Sequence, residues 1–140
     1  MTRMLAFGLL AALAAAAVTG AAARPSQTTK AATLNFRMVE WDILPQTATK
    51  TKATRITFVV RNGGKITHEF VVLKTAKAAG ALAAAGAKEA PETGAVGEIG
   101  VIKPGAVKRL TLNLTKGHYT LLCNLPGHYN SGQFADFYVR

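Results

Sequence analysis

The chain contains a single cysteine, Cys123, so no intramolecular disulfide can form. Acidic residues are scarce as well: seven Asp plus Glu stand against 17 Lys plus Arg. There are three histidines and one tryptophan, and no internal repeat. Beyond residue 18 no apolar run approaches the ~20 residues that a membrane-spanning helix requires. These shortages exclude a disulfide-stapled scaffold, a polytopic membrane protein, a cluster built from many histidines and a thiolate-bridged dinuclear metal centre.

The one long apolar stretch lies at the start. Arg3 precedes the run Met4–Val18, and small residues follow to Ala21-Ala22-Ala23. A basic n-region, an apolar h-region and a small-x-small site are the parts of a secretory signal peptide. Residues 1–23 are therefore read as a signal, 24–31 as a polar lead and 32–140 as one folded domain. An uncleaved membrane anchor is the competing reading. Both place the domain outside the cytoplasm, in the periplasm or beyond the cell.

Removing Arg3 with the signal leaves 16 basic residues against 7 acidic, a formal net charge of +9. Such a charge favours encounter with acidic protein partners or peripheral association with a membrane surface. Nucleic acid is not expected, because the charges are scattered and no base-stacking aromatics lie among them. Nothing in the composition indicates an oligomer, and a monomer is expected.

After residue 31 the chain reads as short strands. Thr33–Trp41 alternates, with Leu34, Phe36 and Met38 on one face and Asn35 and Arg37 on the other. Further runs are Ala53–Arg61, ending at the turn Asn62-Gly63-Gly64, then Ile66–Lys74, Gly97–Ile102, Val107–Leu114, Tyr119–Leu125 and Phe134–Val139. Seven or eight strands at this spacing predict an all-β sandwich or barrel. Thr75–Ala95 breaks the pattern: its alanines favour helix, while Gly80, Gly86 and Pro91 interrupt it. A crossover with room for one short helix is expected there.

A free thiol in an oxidising compartment leaves three readings: an intermolecular bridge, an inert buried group or a metal ligand. Its neighbours bear on the choice. The chain runs Cys123-Asn-Leu-Pro-Gly-His128-Tyr-Asn-Ser-Gly-Gln133, with His68 upstream in its own strand. A blue-copper site takes two imidazoles and a thiolate, with a weak axial donor such as Met or Gln. His68, Cys123 and His128 supply the first three, and Gln133 supplies the fourth. Strand parity groups Cys123 with Leu121 and Tyr119, His68 with Phe70 and Val72, and Gln133 with Phe137 and Val139. His118 has the opposite parity and is read as exposed. Met38, beside Leu34 and Phe36, is read as core, and Trp41 as a core or rim aromatic.

The stretch CNLPGHYNSGQFADFYV closely resembles the copper loop of cupredoxins, and GGKITHEFVVLK resembles their upstream His-bearing strand. That resemblance implies a Greek-key β-sandwich holding one type 1 copper ion and working as a one-electron carrier, not an enzyme. It implies that His128 presents its ring edge through a small apolar patch including Leu125, Pro126 and Tyr129, where a redox partner docks. Two positions depart from the family pattern. Gln133 stands where Met is usual, and Glu69 stands where several members carry Asn to tie the ligand loops together. Periplasmic copper handling is the alternative function, and a metal-free interaction module with an inert Cys123 is a third.

Overall fold

A computed structural model describes residues 30–83 and 86–140. The expected signal segment 1–23 and nearly all of the polar lead lie outside the described residues. Among the described residues there are nine strands: β1 (Ala31–Val39), β2 (Asp42–Pro45), β3 (Lys50–Thr51), β4 (Arg55–Asn62), β5 (His68–Lys74), β6 (Ala95–Ile102), β7 (Val107–Asn113), β8 (Gly117–Leu122) and β9 (Phe134–Val139). They form a four-stranded sheet, β2-β1-β4-β7, packed on a five-stranded sheet, β3-β9-β8-β5-β6. The chain passes between the sheets at β2–β3, β3–β4, β4–β5, β6–β7 and β7–β8, so the expected all-β sandwich is what forms.

Alternation in β1 and β4 drives the packing. Their parallel pairing sets Leu34 opposite Phe58 and Phe36 opposite Val60, and every second residue is buried. Between the sheets Phe36, Phe58, Phe70 and Phe137 form a buried aromatic centre with ring separations of 5.4–6.5 Å. Burying each such ring contributes roughly 1.5–3 kcal/mol. Met38 is fully buried in this core, as its neighbours predict.

β5 does not alternate: Phe70, Val71, Val72 and Leu73 are all buried. A continuous apolar run is what a strand covered on both faces needs. The covering layer is the Ala-rich crossover, whose Leu82 and Ala90 pack with Val71, Leu73, Leu122 and Tyr129 in a second apolar cluster. The crossover carries one 3₁₀ turn, Ala79–Ala81, and no longer helix among the described residues. Two strands escaped the sequence reading. β2 has four residues and ends in proline, and β3 has two, so neither is long enough to show periodicity.

Candidate metal centre

Three segments meet at one end of the sandwich. The first leads into β5. Asn62 closes β4 and is fully buried, and its side-chain amide donates to the carbonyls of Ile66 and Ile102 at 2.8 Å each. Its Oδ1 accepts the Gly64 N–H at 2.8 Å. This fixes the Asn62-Gly63-Gly64 turn and places His68, the first residue of β5, inside the core with no exposed surface.

The second segment follows β8. Cys123 is fully buried, and Pro126-Gly127 turns the chain into His128, which begins the 3₁₀ turn Tyr129–Ser131. Gly132 then adopts φ 103°, in the left-handed region open to glycine, and a Cβ there would stand 3.4 Å from the Trp41 carbonyl oxygen. Gln133 follows with no exposed surface, and its carbonyl accepts the Cys123 N–H at 3.0 Å.

The imidazole nitrogens of His68 and His128 and the thiol of Cys123 offer ligand atoms that all lie within 4.8 Å of one another. Nδ1 of His128 stands 3.3 Å from Cys123 Sγ and 3.0 Å from Gln133 Oε1. On its other side the Gln133 amide donates to Nδ1 of His68 at 3.0 Å and to the Val39 carbonyl at 2.6 Å. All four residues expected from the sequence are thus brought together. Nε2 of His68 is buried without a partner.

Burial pushes the Cys123 thiol above its ordinary value; the Leu125 and Glu69 N–H groups pull it back, and the Glu69 carboxylate adds to the rise. Burial, with His128 beside it, pushes the His68 imidazole below its ordinary value, against weaker upward pulls from Glu40 and Gln133. A neutral imidazole and a thiol that needs a nearby cation to ionise are groups primed for a soft or borderline metal ion. Two imidazoles, one sulfur and one amide oxygen fit copper by donor chemistry.

The link between the ligand segments, left open by Glu69 in place of Asn, is supplied by the backbone. The Glu69 N–H donates to Cys123 Sγ at 3.2 Å. Any residue other than proline can make this bond, so the side chain at position 69 does not decide it.

A third segment, the turn between β1 and β2, was not marked as part of the site. Val39 accepts from Gln133 as described. The Glu40 carboxylate accepts the N–H groups of Lys65, in a short contact, and of Ile66 at 3.1 Å. Trp41, 47% exposed, sets its indole edge-on to the His128 ring at 5.3 Å and 83°. It is the one non-glycine residue with positive φ (68°) among the described residues, the kind of backbone strain that clusters at functional sites. That φ value and that contact are tertiary facts, with no signal in the local sequence.

Two expectations need correcting. Tyr129 was expected in the exposed patch beside His128, with Leu125 and Pro126. It is instead buried, donating to the Ala79 carbonyl at 2.6 Å and accepting the Leu82 N–H at 2.9 Å. The crossover needs a polar anchor over the second apolar cluster, and the phenol provides it. Leu125 is half-buried and Pro126 exposed. His118, read as exposed, is largely covered: Nδ1 donates to the Thr75 carbonyl and Nε2 meets the Asp136 carboxylate, each at 2.7 Å. Its parity does point away from the main core, but the crossover begins directly over that face.

The crossover also holds the metal-loop residues in place. Asn124 exchanges hydrogen bonds with Ala90 (2.8 and 3.0 Å) and donates to Glu92 at 2.8 Å. The Gly127 N–H donates to the Lys88 carbonyl at 2.9 Å.

No family model matches the chain. It is 32% identical over 104 residues to the copper-resistant cuproprotein CopI of Rubrivivax gelatinosus, a match covering 69% of this chain and 58% of that protein. The chain thus spans a little over half the length of that curated relative. Reduced rusticyanin superposes with TM-score 0.62 at 17% identity, covering 81% of this chain and 82% of that one. Dithionite-reduced auracyanin from Roseiflexus castenholzii gives 0.55 at 20% identity, over 82% and 99%. Auracyanin A, a "blue" copper protein of Chloroflexus aurantiacus, gives 0.57 at 19% identity, over 79% and 99%. The chain has the cupredoxin fold, and the two imidazoles and one thiolate gathered at the end of its sandwich fit a type 1 copper site.

Proposed function

We propose that the protein holds one type 1 copper ion through His68, Cys123 and His128, with Gln133 as the axial donor, and carries single electrons between redox partners. The observation that supports this most is the convergence within 4.8 Å of Cys123 Sγ and the His68 and His128 nitrogens, three buried or half-buried residues on two segments of chain. When bound, the ion supplies the redox couple. The protein's part is a preset donor cage tied by the Glu69 N–H, the Gln133 amide and the Val39 carbonyl, so that little rearrangement accompanies a change of charge. No second cluster of metal-ligating side chains is found among the described residues, and the reading is a carrier without substrate turnover. Leu125 and Pro126 beside His128 are the proposed contact for a partner with an acidic surface. The proposed setting is outside the cytoplasm, supported by the signal-like segment 1–23.

A second reading, copper handling, draws support from the likeness to a copper-resistant cuproprotein. An oxygen donor from Gln133 favours Cu(II) over Cu(I) relative to a thioether, which suits a protein that keeps its metal.

The deciding experiment adds Cu(II) to the purified protein and follows its visible spectrum. An intense thiolate-to-copper band is expected at one ion per chain, absent in Cys123→Ser. A colourless product with the wild type overturns both copper readings. Rapid, reversible bleaching by a one-electron reductant with the metal retained favours the carrier; loss of the metal on reduction favours handling.

A further inference from the structure

The charge that makes this protein basic is not spread evenly over the fold. β1, β4 and β7 lie side by side and contain no Asp or Glu. Their outward-facing positions form cross-strand rows: Arg55 with Ala31 and Asn113, Thr57 with Thr33 and Thr111, Val59 with Asn35 and Arg109, and Arg61 with Arg37 and Val107. Thr57 and Thr111 share a 2.9 Å hydrogen bond on this face. Arg37, Arg55, Arg61 and Arg109 are all exposed. Five of the seven carboxylates lie elsewhere: Glu69, Glu98 and Asp136 on the five-stranded sheet, Glu89 and Glu92 on the crossover. The remaining two are Glu40, at the turn that ends β1, and the exposed Asp42, the first residue of the edge strand β2 of the four-stranded sheet.

Like charges placed directly across a strand pair are destabilising, and Arg37 faces Arg61 with nothing to neutralise either. Among the described residues the one ion pair is His118 with Asp136. Arg37 reaches only the Gly63 carbonyl, at 3.4 Å. A cavity of about 260 Å³ on this face is lined by Asn35, Arg37, Gln46 and Arg61, with Val59 and Val107 among its apolar walls. Guanidinium and amide N–H groups in that arrangement suit a phosphate.

We propose that the outer face of the four-stranded sheet docks on an anionic phospholipid surface, with the Arg37–Arg61 cavity taking a headgroup phosphate. Four exposed arginines on strands without a carboxylate, with Val107 as the one large exposed apolar side chain of those strands, match an anionic surface, and attraction of this kind weakens with salt. The Arg37–Arg61 row lies next to the turns Asn62-Gly63-Gly64 and Val39–Trp41 that lead to the His128 end, and the Arg55 row lies at the other end of the same strands. The inference does not depend on copper: it stands or falls separately from the proposed function.

The test is sedimentation of the full chain with vesicles of phosphatidylcholine alone and of phosphatidylcholine with phosphatidylglycerol. Preference for the anionic vesicles is expected, lost at high salt. The double variant Arg37→Gln with Arg61→Gln should bind them about tenfold more weakly or worse, since each basic residue near such a surface contributes about fivefold. A control losing the same charge elsewhere, Lys50→Gln with Lys77→Gln, should fall by less than about threefold. Circular dichroism verifies that each variant is folded, and Arg55→Gln with Arg109→Gln tests the face again should the first pair fail to fold. Equal binding to both vesicles, equal loss in the control, or equally tight binding to an acidic polypeptide overturns the proposal. Displacement by millimolar inorganic phosphate without any vesicle preference shows a free-anion site and overturns it too.

Discussion

The backbone N–H of Glu69 points at Sγ of Cys123 from 3.2 Å, across 54 residues of chain. It joins the strand that begins with His68 to the loop that carries His128, and it accounts for the tolerance of a glutamate at this position. A donor to sulfur lowers electron density on a thiolate, so the same bond that fixes the geometry also tunes the ligand.

Trp41 is the chain's one tryptophan and stands 5.3 Å from His128. Its fluorescence is therefore a reporter of the site. Addition of Cu(II) should quench the emission by more than half at one equivalent, and His128→Ala should remove the response. Quenching that persists in His128→Ala would place the bound ion elsewhere.

Gln133→Met replaces an amide that spans His68, His128 and Val39. With a softer axial donor, the reduction potential of the copper form should rise. Protein-film voltammetry measures it. The variant should also lose about 1–2 kcal/mol of metal-free stability, because the Val39 carbonyl loses its partner.

Asn124→Ala strips three hydrogen bonds between the metal loop and the crossover, leaving buried Ala90 groups unpaired. A loss of about 2–4 kcal/mol in denaturant unfolding is expected. Faster amide exchange should appear in residues 86–92 before it appears in the β-sheets.

The Glu40 carboxylate is held below its ordinary value, first by the Lys65 N–H and then by further backbone donors including Ile66. A carboxylate with a depressed folded-state pKa stabilises the fold above its unfolded value, and that contribution is lost as pH falls through the folded value. Glu40→Ala should therefore melt earlier than wild type at pH 7, with the gap closing below about pH 4. A gap that is unchanged at pH 3 would show that the carboxylate's charge is irrelevant to the turn.

Much of the site was legible in the sequence because two of its ingredients are local. Strand period two assigns His68, Cys123 and Gln133 inward faces without reference to any other segment, and Pro126-Gly127 forces the chain back toward the cysteine. The spacing Cys123–His128–Gln133 then lies within a single loop. Tyr129 and His118 were misplaced for one shared reason. Period two tells which side of a strand or turn a residue takes, not whether that side is covered, and the covering layer was the Ala-rich segment least readable by pattern.

By itself, then, the sequence determined the all-β alternation and supplied two histidines, a cysteine and a glutamine on segments that can meet. Only the tertiary structure decided what surrounds them. The β1–β2 turn brings Val39, Glu40 and Trp41 to the donors from more than 80 residues before the Cys123 loop, and the crossover clamps Asn124 and Tyr129 from the other side. Register pairs Arg37 with Arg61 on strands that carry no carboxylate. Contacts of that kind depend on which strands become neighbours, and that is set by the packing of the whole core, not by any stretch of chain that makes the contact.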